Sequence, residues 1–337
     1  MTQNSTGSTN TTGKTVVVTG GAGFIGANLV RELLAREGIA RVRVIDDLST
    51  GSKANLDGVL GDRHPGGGAD FHHGSILDTE LLDTAFDGAD SVVHLAALPS
   101  VPRSVADPTA SHHANATGTL EVLQAARRAG GLQVVAASSS SVYGANPELP
   151  KHELLRTAPM SPYAVSKLAA EQYLHAFHHC YDLPVLPFRF FNVFGPLQAP
   201  GHAYAAVIPQ FLDAALAGRP LTVHGDGLQT RDFTFVGTVT RVLADAVQRT
   251  VVHAEPVNLA FGTRVSLLEL ITGLEAALGH PLEVEHTGTR PGDVRDSQAG
   301  NARLRSLFPD VEPVRLPEGL ARTVEWFRAE AARTSQT

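Results

Sequence analysis

The chain has 337 residues, 43% of them hydrophobic and 18% charged. That is enough for one large domain or two moderate ones, and unlike a disordered or coiled-coil composition. A formal net charge of −7 without any dense Lys/Arg run lacks the electrostatic footprint of a nucleic-acid binder, although backbone amides and a few Arg residues can still hold a small anion.

Residues 1–13 are rich in Ser, Thr, Asn and Gly and lack the basic and apolar regions of a signal peptide, so a disordered tail is expected. Residues 15–18 are a β-branched run ahead of Gly20, the pattern of a buried parallel strand ending in a turn. A helix over 24–37 and a second strand over 42–45 follow. Pro65-Gly66-Gly67-Gly68 reads as a flexible connection. A strand over 91–95, a helix over 114–129, a strand over 134–137, a helix from Pro162 and a strand over 185–188 continue the rhythm. Strand–helix alternation of this kind predicts an α/β fold, a doubly wound parallel sheet of the Rossmann type covered on both faces. After Gly195 the pattern loosens, with a helix over 208–217 and a strand over 221–223. No apolar run approaches the ~18 residues that cross a bilayer. The single cysteine, Cys180, allows no intrachain disulfide, so a cytoplasmic protein with no membrane partner is expected.

Thr19-Gly20-Gly21-Ala22-Gly23-Phe24-Ile25-Gly26 lies between the first strand and the first helix. Gly20 permits a tight turn, Gly23 lets backbone approach a pyrophosphate, and Gly26 removes bulk where helix packs on strand. Asp46 ends the second strand, where an acid accepts from adenosine ribose hydroxyls and repels a 2′-phosphate, so NAD is favoured over NADP. No Gly-Lys-Ser/Thr follows, which leaves out the nucleotide triphosphate loop.

Ser161-Pro162-Tyr163-Ala164-Val165-Ser166-Lys167 begins a helix, with Ser161 as N-cap and Pro162 in the first turn. Tyr163 and Lys167 then share one face. A free tyrosine titrates near ~10 and is a poor base at neutral pH. An adjacent ammonium and a positive nicotinamide ring favour its phenolate. The run Ala137-Ser138-Ser139-Ser140-Ser141-Val142-Tyr143-Gly144 follows a predicted strand, and puts a hydroxyl at the edge where open α/β sheets bind ligands. Fifteen histidines invite a metal site, but His72-His73, His112-His113 and His178-His179 are adjacent pairs that point apart, so none is expected. Trp326-Phe327 reads as a core anchor.

Together these pieces resemble the extended short-chain dehydrogenase/reductase family, in its nucleotide-sugar 4-epimerase branch. The likeness covers nearly the whole chain. Matching stretches include His94-Leu95-Ala96-Ala97, Asn115-Ala116-Thr117-Gly118-Thr119, Arg189-Phe190-Phe191-Asn192-Val193-Phe194-Gly195-Pro196, Thr230-Arg231-Asp232-Phe233 and Arg290-Pro291-Gly292-Asp293. The resemblance implies an NAD domain at 14–195, to which a segment near 233–262 returns. A smaller C-terminal α/β substrate domain is implied at 196–232 and 263–330.

By the same resemblance Ser139, Tyr163 and Lys167 are the catalytic trio. Gly20, Gly23, Phe24, Ile25, Gly26, Asp46, Asp47, Ser75, Ile76, Leu95, Ala96, Ala97 and Asn115, with Tyr163 and Lys167, are implied to hold NAD. Arg103, Ser140, Ser141, Asn192, Val207, Arg231, Arg290, Asp293 and Ser297 are implied to hold a UDP-sugar. The implied reaction is inversion at C4 through a 4-keto sugar, and a homodimer is implied through two helices per subunit, near 114–129 and 164–177.

Sibling dehydratases resemble each other in an Asp-Glu pair after the catalytic hydroxyl, and the decarboxylases likewise carry an acid in this segment. This chain has Ser140 and Ser141 there. Ser297 is a small residue at the gate that selects substrate size, and UDP-glucuronate, UDP-GlcNAc and UDP-glucose all stay open. A dehydratase, a decarboxylase or a non-catalytic NAD-binding regulator is the alternative. Asn192 stands where glucuronate epimerases usually have Thr. Ser75, Thr238 and Phe261 also depart from the family pattern, which has Asp, Asp and Gly there.

Overall fold

The computed structural model describes residues 13–61, 68–200, 206–288 and 295–334. The expected tail, apart from Gly13, and the Gly-rich connection, apart from Gly68, lie outside them. In chain order the elements are β1 (Lys14–Thr19), α1 (Phe24–Leu34), β2 (Ile39–Asp46), β3 (Gly68–His73), α2 (Thr79–Phe86), β4 (Ser91–His94), α3 (Val101–Ala106), α4 (Pro108–His112), α5 (Gly118–Arg128), β5 (Gln133–Ser139), α6 (Pro162–Tyr181) and β6 (Val185–Phe190). They continue with β7 (Asn192–Phe194), α7 (Val207–Leu216), β8 (Leu221–His224), β9 (Thr230–Arg231), β10 (Phe233–Phe235), α8 (Val236–Gln248), β11 (Val257–Leu259), β12 (Val265–Ser266), α9 (Leu267–Leu278), β13 (Val284–Thr287), α10 (Ala302–Leu307) and α11 (Leu316–Thr334).

Seven strands form one sheet in the order β11-β6-β5-β4-β1-β2-β3, every pairing parallel. This is the doubly wound α/β sheet that the alternation predicts. Alternate residues of β1 show why its centre, Val16–Val18, is apolar. Val16 and Val18 enter a core made with α1 and α8, whereas Val17 enters a second core made with α2, α5 and the end of α6. Both faces are covered, so the valines bury on either side of the sheet. Sheet order reverses between β1 and β4, which opens a crevice at their carboxyl ends.

A third core collects α7, β8, β10, α9 and α11 beyond that crevice, with Phe194, Leu212, Leu274 and Phe327 at its centre. Phe327 is buried there, and Trp326 packs against it from the side. The two-stranded pair β7–β10 runs off the end of β6 and links this core to the sheet.

Several elements differ from expectation. The predicted helix over 114–129 is two pieces, a π-helical turn at His113–Thr117 and α5, and the turn follows directly on α4. A π turn widens the backbone spiral and frees a carbonyl, and here it lies beside the crevice. Strand β3 carries Asp70, His72 and His73, so its sequence lacks the apolar signature of its neighbours, yet it pairs with β2 over six residues. No helix is long and apolar enough to cross a membrane among the described residues.

Candidate active site

The crevice is a cavity of about 1530 Å³ that begins at the Gly-rich turn and ends at the first turn of α6. At the turn, Gly20 has φ +70°, and a Cβ there would sit 2.7 Å from the backbone nitrogen of Ala96. A Cβ on Gly26 would lie 2.2 Å from the Gly20 carbonyl oxygen. Neither position admits a side chain without moving backbone. Helix α1 starts at Gly23 with no side-chain cap and no acid in its first turn. Its first amides therefore face the cavity as an anion site, which fits a dinucleotide pyrophosphate. Gly26→Ala is expected to open this turn and weaken NAD binding at least ~10-fold in a fluorescence titration. Unchanged affinity would show that the turn does not hold the cofactor.

Asp46 stands across the turn at the end of β2. Its carboxylate accepts from the amides of Ala22 and Leu48, both at 2.9 Å, which fixes it against the Gly-rich loop. Burial raises its pKa, and those amides pull the other way. Asn55, which no motif in the sequence marks, donates to the Ala22 carbonyl at 2.9 Å and also lines the cavity. Its position 33 residues downstream of Ala22 leaves no periodic signal.

At the other end, β5 delivers Ser139 and α6 delivers Tyr163 and Lys167 to one wall. Ser161 caps α6 by accepting from the Ala164 amide at 3.2 Å, and Pro162 occupies the first turn, so the helix begins just where Tyr163 meets the cavity. Burial raises the Tyr163 pKa, and a hydrogen bond with Ser139 works against that rise. Burial lowers Lys167 to about 8. Ser141 turns back on Ser139, its hydroxyl donating to Ser139 Oγ at 2.9 Å.

The implied cofactor residues Gly20, Gly23, Phe24, Ile25, Gly26, Asp46, Asp47, Ser75, Ile76, Leu95, Ala96 and Ala97 all line the cavity, as does Arg103. Asn115 lies behind the wall instead. Its Oδ1 accepts from the Leu98 amide at 2.8 Å, and its Nδ2 donates to the Leu98 carbonyl at 3.1 Å and to Ser166 Oγ at 3.0 Å. Its side chain is thus consumed in fixing the loop after β4 to α6.

Asn192, Arg231 and Ser297 gather beyond the cavity wall. Asn192 donates to the Asp232 carbonyl, and the Ser297 amide donates to the Thr230 carbonyl at 3.1 Å. Buried Asp232 ties the group together, accepting from the amides of Gly262 and Ala299, and burial raises its pKa to about 6. Val207 starts α7 one residue after Ala206, which lines the cavity. Arg290 and Asp293 lie outside the described residues.

A buried ion pair braces the catalytic wall from behind. Glu171, one turn beyond Lys167, accepts from Arg189 at 2.6 and 3.0 Å and from Ser138 Oγ at 2.8 Å. The Arg189 guanidinium lies over the Tyr143 ring at 4.7 Å, and the Tyr143 hydroxyl donates to Asn258 at 2.7 Å.

Thr238, Phe261 and Ser75, which depart from the pattern the resemblance implies, each have a local partner. Thr238 accepts from the Val314 amide at 2.9 Å. Phe261 sits under the Arg305 guanidinium at 5.0 Å and packs on the sheet core. Ser75 accepts from the Leu77 amide at 3.2 Å and leaves the cavity wall uncharged at that point.

The family model for the NAD dependent epimerase/dehydratase family matches residues 16–260. A UDP-glucose 4-epimerase of Mycolicibacterium smegmatis is 40% identical over 320 residues, covering 93% of this chain and 98% of that protein. Among solved structures, a UDP-N-acetylglucosamine 4-epimerase from Methanobrevibacter ruminantium, in complex with UDP-N-acetylmuramic acid, is 35% identical with a TM-score of 0.87 over 94% of this chain and 99% of its own. A dTDP-glucose 4,6-dehydratase from Streptomyces venezuelae, with NAD bound, is 33% identical with a TM-score of 0.86 over 95% and 98%.

Proposed function

Because the chain belongs to the NAD dependent epimerase/dehydratase family and is an NAD-dependent enzyme acting on nucleotide sugars, we propose that it inverts C4 of a UDP-sugar through a 4-keto intermediate. The observation that carries this reading is the meeting of Ser139, Tyr163 and Lys167 on one wall of the cavity that starts at the Gly-rich turn.

In this reading the Gly-rich turn, the first amides of α1 and Asp46 hold NAD, which when bound takes a hydride from the sugar and gives it back. Tyr163 removes the proton of the C4 hydroxyl and returns it after the sugar has turned over. Ser139 hydrogen-bonds that oxygen and the tyrosine together. Lys167, as an ammonium, favours the phenolate. Asn192, Val207, Arg231, Arg290, Asp293 and Ser297 hold the UDP-sugar, and the third core closes over it. Helices α5 and α6 pair two subunits into a dimer.

Elimination of water, as in the dehydratases, needs an acid and a base beside the reacting carbons. The turn after Ser139 offers Ser140 and Ser141 instead, and no Asp or Glu of the cavity lining among the described residues comes from that turn. Epimerisation needs neither group.

Removing the Lys167 charge by Lys167→Met raises the pKa of Tyr163, since the ammonium no longer favours the phenolate. The acid limb of kcat/KM against pH then moves up by about 1–3 units. A limb that stays in place would separate Lys167 from the ionisation of Tyr163.

Purified protein offered UDP-glucose, UDP-GlcNAc and UDP-glucuronate separately tests the reading, with proton NMR following C4. A mixture of C4 epimers from at least one sugar is expected. A 4-keto-6-deoxy product would assign a dehydratase, and no conversion with NAD supplied would return weight to a non-catalytic NAD-binding role.

A further inference from the structure

His94 ends β4 beneath the catalytic wall, is 4% exposed, and has both ring nitrogens engaged. Nδ1 lies 2.8 Å from Thr19 Oγ1, and Nε2 lies 3.0 Å from Thr119 Oγ1. The second hydroxyl fixes the direction of the chain. Thr119 donates its proton to the Asn115 carbonyl at 2.6 Å, and a carbonyl can only accept. Thr119 Oγ1 must therefore accept from the ring, which puts the proton on Nε2. Nδ1 is left as an acceptor for the Thr19 hydroxyl, whose oxygen in turn accepts from the Ala96 amide at 3.3 Å.

Both ends of this chain reach the active site. Thr19 immediately precedes Gly20, so one end is anchored at the Gly-rich turn. From Asn115 the bonds continue to Ser166 on α6, whose hydroxyl donates to the Tyr163 carbonyl at 2.8 Å. Thr19, Thr119, Asn115 and Ser166 are each buried, so no water competes for these bonds.

We infer that His94 is a positioning residue, locked as the neutral Nε2–H tautomer, that sets the catalytic helix against the Gly-rich turn. The inference rests on the catalytic reading of Tyr163 and Lys167 given above. A doubly protonated ring would force the Thr19 hydroxyl to find another acceptor and would set a second cation against Lys167. Lys167 is the charged group facing the ring, from α6, while β1 and the start of α5 present hydroxyls. Burial and that ammonium hold the imidazole down to about 3, well below its ordinary range.

The ring state is read first, in the unaltered protein with 15N-labelled histidine and through-bond assignment to the His94 backbone. One imidazole is expected with its proton on Nε2 and with shifts constant from pH about 5.5 to about 7. A His94 ring that titrates in that interval, or carries its proton on Nδ1, overturns the inference. This readout needs no substrate, so a wrong ring state and a wrong sugar are told apart.

His94→Phe then keeps the ring volume and removes both hydrogen bonds. It is expected to lower kcat about 10–100-fold, with KM within about 2-fold of the unaltered enzyme and NAD still bound. His94→Gln, whose amide N–H can donate to Thr119, is expected to recover part of that loss. Unaltered kcat in His94→Phe overturns the positioning role, and if that variant fails to fold the ring state decides.

Discussion

Tyr163→Phe is expected to lose at least ~100-fold in kcat while keeping its fold and its affinity for NAD. The side chain sits at the start of α6 and faces the cavity, so deleting one oxygen leaves the packing of the helix in place. Its loss removes the group that takes and returns the C4 proton. Burial raises the pKa of the phenol, and a hydrogen bond with Ser139 works against that rise. In the proposed mechanism the Lys167 ammonium and bound NAD supply the further drive to ionise, worth about 1.4 kcal/mol for each pKa unit. The check pairs steady-state kinetics with NAD titration. A variant that binds NAD and turns over near the normal rate would remove Tyr163 from the chemistry.

The second large effect falls on stability. Glu171→Leu is expected to cost about 3–5 kcal/mol in a denaturant titration, because it strands the Arg189 guanidinium in the core. Both side chains are nearly inaccessible, at 4% for Arg189 and 2% for Glu171, so water cannot take the place of the lost partner. Ser138 Oγ loses its acceptor in the same step, next to Ser139. Replacing both partners, as Glu171→Leu with Arg189→Met, is expected to recover much of the loss, since two buried charges disappear together. A single variant as stable as the unaltered protein would show that solvent reaches the pair.

What could be read from the sequence was what is local in it. The Gly-rich turn, Asp46 at the end of its strand, and the four-residue spacing of Tyr163 and Lys167 each follow from backbone rules over a few residues, and all of these residues line one cavity. The apolar runs of β1, β4 and β5 announce a sheet buried on both faces. Strand β3 escaped because its outer position lets it carry His72 and His73. The π turn at His113–Thr117 has no compositional mark, and without it the role of Asn115 as a clamp on Leu98 and Ser166 could not be foreseen. The Glu171–Arg189 pair and the His94 chain join residues on different elements, so periodicity within one element says nothing about them. The substrate side is the least local part. Asn192, Arg231 and Ser297 come together only through Thr230 and Asp232, whose partners lie up to 67 residues away.

The most direct test of C4 epimerisation follows a label. A UDP-sugar carrying deuterium at C4, chosen from those the enzyme converts, is incubated in ordinary water and its product examined by NMR. Hydride that leaves C4 and returns to the opposite face leaves the deuterium on C4 of the inverted sugar, with C6 unchanged. Deuterium found at C6 with loss of the C6 oxygen, or washed out of C4 into solvent, would refute inversion by hydride return at this site.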